Sequence, residues 1–168
     1  MADPAGVLEI SLADGAVVRH SLFARAAKDD RPWRSATLLD GKTLAISGCD
    51  RLAYDHRGCG SPFGLRLVDT RHWTTRMLDS RAAAFRRTGR TLVLDASAYG
   101  ESRRLGLRAY TPDGILRVET LSGRDVLTQV GGGHAYAHII GRPSSATRAI
   151  DLRTGKLRLL PSRVPYLL

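Results

Sequence analysis

Four stretches of the chain share one pattern: "LEISLADGAVVRHSL" from Leu8, "LRLVDTRHWTTRML" from Leu65, "LRAYTPDGILRVETL" from Leu107 and "TRAIDLRTGKLRLL" from Thr147. Each opens on an alternating apolar run, passes through Asp or Gly, and continues into a second alternating run. Two antiparallel strands joined by a tight turn produce that pattern. Asp14-Gly15, Asp113-Gly114 and Thr154-Gly155 supply residues that tolerate positive φ in the turn. A second kind of hairpin lies between these copies: "RSATLLDGKTLAISG" from Arg34, "RAAAFRRTGRTLVLDA" from Arg81 and "VLTQVGGGHAYAHIIG" from Val126, turning at Gly41, Gly89 and Gly133. After those glycines the apolar positions alternate again, at Leu44 and Ile46, at Leu92 and Leu94, and around Tyr136.

Alternating hairpins predict an all-β chain of four-stranded antiparallel sheets. From Leu65 to Leu107 to Thr147 the spacing is 42 and then 40 residues, near the period of a propeller blade. A small sheet with two apolar faces cannot bury both alone, so neighbouring sheets must cover each other. Runs such as Leu92-Val93-Leu94 and His138-Ile139-Ile140 suit strands covered on both sides, whereas "KLRLL" and "ILRVETL" carry the charges of edge strands.

The segments "DGKTLAIS", "TGRTLVLD" and "IDLRTGKLRLL" resemble the hairpins of β-propeller blades, most closely those of TolB-like and tryptophan-aspartate-repeat propellers. The resemblance spans Leu8 to Leu160 and implies one propeller-like domain over 1–168, with a half blade at 7–23 and blades at about 34–78, 81–121 and 126–160. Three and a half blades are fewer than the four or more that close a ring. The expectation is therefore a partial propeller, with the missing blades supplied by a longer parent chain or by another copy. A β-sandwich is the alternative arrangement of the same strands. Residues 21–33, "SLFARAAKDDRPW", interrupt the pattern as a connecting loop or one helical turn, and "DSRAAAFRR" is expected to be strand because it precedes Gly89.

The net charge is +10, and of 26 basic residues only Lys28, Lys42 and Lys156 are lysines. Such a balance attracts anionic partners. The arginines are scattered, however, while nucleic-acid binders concentrate them on a stripe with interleaved aromatics. No apolar run approaches the roughly 20 residues of a membrane helix, and the start lacks a signal-peptide pattern. The expectation is a cytoplasmic chain without a membrane partner.

Both cysteines lie in "SGCDRLAYDHRGCG", the loop expected between the second and third strands of a blade. Three fates are open to them: reduced thiols, which suit a cytoplasmic chain; a Cys49–Cys59 disulfide; or a metal held by Cys49, His56 and Cys59 with Asp50 or Asp55. In "GGGHAYAH" no phosphate loop is expected, because no Lys-Ser or Lys-Thr follows the glycines. His134 and His138, four residues apart on a strand, are separated by roughly 13 Å, too far to share an ion. No catalytic constellation stands out, and no cofactor is expected.

Function is expected to be non-catalytic: a binding or scaffold module that meets a protein or peptide through its inter-strand loops. The residues expected to take part are Asp50, Arg51, Tyr54 and His56 of the cysteine loop, Trp73 at an outer turn, and Tyr99, Arg103 and Arg104 of "SAYGESRR". One alternative is a fragment of a propeller enzyme, a hydrolase, lyase or quinone-dependent dehydrogenase, with its site at the central channel. A second is a basic platform for nucleic acid. Homo-oligomerisation is a further expectation.

Overall fold

The structure is a computed structural model and describes residues 2–3, 5–24, 32–52, 59–95, 106–120, 125–139 and 146–160. Every regular element among the described residues is a β-strand, and the chain divides after Ala84 into two compact units.

In the first unit β1 (Ala2–Asp3), β2 (Gly6–Ile10) and β3 (Val17–Ser21) form a three-stranded antiparallel sheet. A second sheet follows, built from β4 (Trp33–Asp40), β5 (Thr43–Leu52), β7 (Leu65–Asp69) and β8 (Thr74–Asp79) in that spatial order. The short β6 (Cys59–Pro62) pairs with the far end of β5. Thus β6 and β7 act as one interrupted partner of β5, broken at Phe63-Gly64. Gly64 has φ +85°, and a Cβ there would stand 2.7 Å from the Asp79 carbonyl oxygen, so the break requires glycine. The two sheets pack through Ile46, Phe63 and Val68 of the second against Val7, Leu22 and Phe23 from the first sheet and the chain leaving it.

In the second unit the order is β12 (Leu116–Glu119), β11 (Leu107–Tyr110), β10 (Thr91–Asp95), β9 (Phe85–Thr88). The last sheet runs β13 (Asp125–Gly131), β14 (His134–Ile139), β15 (Thr147–Asp151), β16 (Leu157–Leu160). Val93, Leu107, Ala109 and Val118 of one sheet meet Leu127, Ala135, Ala137 and Ile150 of the other in a buried apolar cluster. On β14 burial alternates with the pleat: Ala135 and Ala137 join this cluster and Ile139 is buried on the same face, while His134, Tyr136 and His138 lie on the opposite face.

The hairpins expected from the sequence are all present among the described residues. One strand is shorter than expected. Asp79 accepts the Arg81 amide at 2.9 Å and closes a turn, so β9 starts only at Phe85, and Ala82 and Ala83 are buried outside any strand. Aspartates serve the same purpose elsewhere. Asp14, Asp40, Asp69 and Asp151 each accept the amide two residues ahead, at 2.8 to 3.1 Å. These bonds hold their carboxyls below the usual range: for Asp40, Asp69 and Asp151 the turn amides dominate, and for Asp14 the Ser11 hydroxyl leads, followed by the Ala16 amide.

Candidate functional site

The outer face of the last sheet carries a hollow of about 300 Å³. Its shape follows from the strand register. Tyr136 on β14 lies opposite Ala149 on β15, and Ala149 lies opposite Arg158 on β16. A small floor between two long walls makes the depression. His134 and Asp151, also directly opposite each other, line it towards the turns together with Lys156, and Leu160 closes its far end.

The chemistry of this hollow is cationic and aromatic. Asp151 is its one lining carboxylate, and its Oδ1 is engaged by the Arg153 and Thr154 amides, both at 2.8 Å. His134 meets the Gly132 carbonyl through Nδ1 at 2.9 Å, and its ring is 6.3 Å from that of Tyr136. Lys156 and Arg158 are exposed and have no ion-pair partner among the described residues. An anionic group entering the hollow meets Arg158 on one side, with Tyr136 as the opposite wall.

A second constellation lies in the first unit. Arg34 on β4 is opposite Gly48 on β5, and Phe63 donates its amide to the Gly48 carbonyl at 3.0 Å. A Cβ on Gly48 would stand 2.1 Å from the Trp33 carbonyl oxygen. The Arg34 guanidinium reaches the Phe63 ring, 3.8 Å from its centroid, and Arg66 approaches the same ring at 4.5 Å. The Arg34 side chain is 1% exposed. It donates to the Trp33 and Cys49 carbonyls and pairs with Asp50. The Nε atoms of Arg34 and Arg66 are buried with no hydrogen-bond partner. Burial pushes the Arg34 guanidinium below its usual pKa; Asp50 opposes that, and neighbouring Arg66 adds to it.

Cys49 and Cys59 are joined in a disulfide, with 5.7 Å between their Cα atoms. Of the three fates open to these cysteines the structure shows the disulfide, and it leaves neither sulfur as a thiolate for metal. The reason is the pairing of β6 with β5, which places Cys59 opposite Leu52 and turns both sulfurs into one buried pocket beside Ala83.

The structure separates the residues expected to act together. Asp50 is engaged by Arg34, and Arg51 is exposed at the end of β5. Trp73 stands at the opposite end of that sheet, in the turn between β7 and β8, half-buried against His20. Tyr54, His56, Tyr99, Arg103 and Arg104 lie outside the described residues. Sequence reasoning missed Tyr136, Lys156, Arg158 and Leu160 as partners. The signal was there in "GKLRLL", whose alternation puts Lys156, Arg158 and Leu160 on one face and Leu157 and Leu159 on the other.

Comparison with models of known protein families finds no match, and comparison with curated proteins finds none either.

Proposed function

We propose that this chain is a non-catalytic binding module of the β-propeller type, with the hollow over Ala149 as the seat of a protein or peptide ligand. The observation that carries the reading is the hollow itself: about 300 Å³, walled by Tyr136 and Arg158, with Lys156 at its rim and its one carboxylate held by turn amides. That is the make-up of a recognition surface, with an aromatic anchor and exposed cations around a small floor. The propeller part of the reading is supported by the up-and-down antiparallel order of the sheets and by their packing in pairs within each unit. The disulfide favours an oxidising compartment over the cytoplasm.

The test is an unbiased peptide-display selection on the full chain, repeated with Ala149→Phe, which fills the hollow. The reading expects enriched peptides that the filled variant no longer captures. Equal capture by both proteins would move the ligand elsewhere, and failure to enrich any peptide would remove the reading.

A further inference from the structure

The outer edge of the last sheet offers more than the hollow. Among the described residues β16 pairs with β15 alone and is the last strand in the order, so half of its backbone amides and carbonyls point away from that partner. Its side chains divide cleanly. Lys156, immediately before the strand, and Arg158 extend to the hollow's side, exposed and unpaired among the described residues. Leu157 and Leu159 lie on the other side, 52% and 62% exposed. Successive positions on one face of a strand are roughly 7 Å apart, so the two cations form a row with a fixed repeat.

Resting on the peptide-binding reading above, we propose that β16 is the docking edge for an extended acidic strand, added to the sheet by backbone pairing. Residues directly opposite on paired strands share a face. A guest strand in which acidic and apolar residues alternate therefore sets its carboxylates against Lys156 and Arg158 and its apolar side chains over Leu157 and Leu159. Both needs of the edge are met by one period-two pattern. Backbone hydrogen bonds supply affinity in this mode, and alternate side chains supply specificity. A nucleic acid satisfies only half of the surface, because phosphates neutralise the cations and leave the two leucines bare. Where charge protects an edge from pairing, it repels further copies of similar sequence; here it selects a guest of opposite sign.

The experiment uses a fluorescent, end-blocked peptide of Glu-Val repeats, with a Lys-Val peptide of equal length and a single-stranded oligonucleotide as comparisons. Anisotropy against the full chain reads affinity, and amide hydrogen exchange at residues 157–160 reads the site. The expected result is binding of Glu-Val but not Lys-Val, slowed exchange along β16, and affinity at least about tenfold weaker in Lys156→Glu/Arg158→Glu. Those side chains are exposed, so unchanged circular dichroism of the variant checks its fold. Glu-Val binding that is lost in Ala149→Phe without β16 protection would overturn strand addition while leaving the peptide-binding reading intact. Equal binding of Lys-Val would overturn the acidic guest. If only the oligonucleotide binds, and display selection also enriches no peptide, both proposals fall together.

Discussion

The imidazole of His20 lies flat on the indole of Trp73, with ring centroids 3.3 Å apart and 8° between the planes, and its Nε2 meets Glu9 at 2.9 Å. This stack fastens β3 of the first sheet to the β7–β8 turn of the second. Trp73 is held at φ +52°, the one non-glycine residue at positive φ among those described. In the matching turns Gly15, Gly114 and Gly155 take positive φ, so a tryptophan stands where the other copies of the hairpin use glycine. We expect Trp73→Ala to destabilise the chain by about 1 to 3 kcal/mol, less than a fully buried aromatic because the ring is only half-buried.

Trp73→Gly separates the ring from the backbone. A left-handed conformation costs a non-glycine residue about 1 kcal/mol, and glycine removes that cost. Urea unfolding followed by circular dichroism should therefore rank Trp73→Gly above Trp73→Ala, reversing the usual order. The opposite ranking would show that the turn relaxes once the ring is gone.

The disulfide closes a loop whose ends are 10 residues apart in sequence, and the chain-entropy relation assigns such a closure about 2 to 3 kcal/mol. Adding a reductant should lower the urea midpoint of the native chain and leave that of Cys49→Ala/Cys59→Ala unmoved. Thiol labelling of the unfolded, unreduced protein should find no free sulfhydryl; two per chain would contradict the pairing.

Arg34 and Arg66 share the Phe63 ring, but among the described residues the ion pair at this cluster joins Arg34 to Asp50. Arg66→Met keeps the long side chain and removes a cation that lowers the pKa of its neighbour, so stability should hold or rise by about 1 kcal/mol. Asp50→Asn leaves Arg34 buried without its anion. Because Asp50 is 43% exposed, the loss should be about 1 to 3 kcal/mol rather than that of a fully buried pair. A cycle of Arg34→Met with Arg66→Met reads the coupling between the two guanidiniums, and strict additivity in that cycle would mean that they do not interact.

The turn carboxylates of Asp14, Asp40, Asp69 and Asp151 are depressed in the folded chain. A depressed acid contributes stability that is complete above its unfolded pKa, about 3.9, and is lost as pH falls through the lower folded value. Thermal midpoints should be flat with respect to these groups from pH 7 to about 5 and fall below about 4. Asparagine can still accept the turn amide but does not titrate. Replacing all four aspartates with asparagine should flatten the acid limb, and parallel limbs in the two proteins would place the acid sensitivity elsewhere.

What could be read from the residues alone was most of what near neighbours along the chain govern. Side-chain alternation marked the strands, and Asp and Gly marked the turns, because pleat and turn chemistry act over two to four residues. The same locality explains the error at Arg81: an apolar stretch before a glycine resembles a strand until the Asp79 carboxylate is seen to close a turn. Tertiary structure alone decided the rest. The cysteines meet because β6 pairs with β5, the two arginines meet on the ring of Phe63, and Trp73 turns to His20 because two sheets stack there. The hollow over Ala149 needs one residue from each of three strands in register, and its floor is an alanine that nothing in its own stretch of sequence distinguishes from a core residue. Sites of this kind are made by side chains remote in sequence, whose meeting depends on pairing and packing rather than on local pattern.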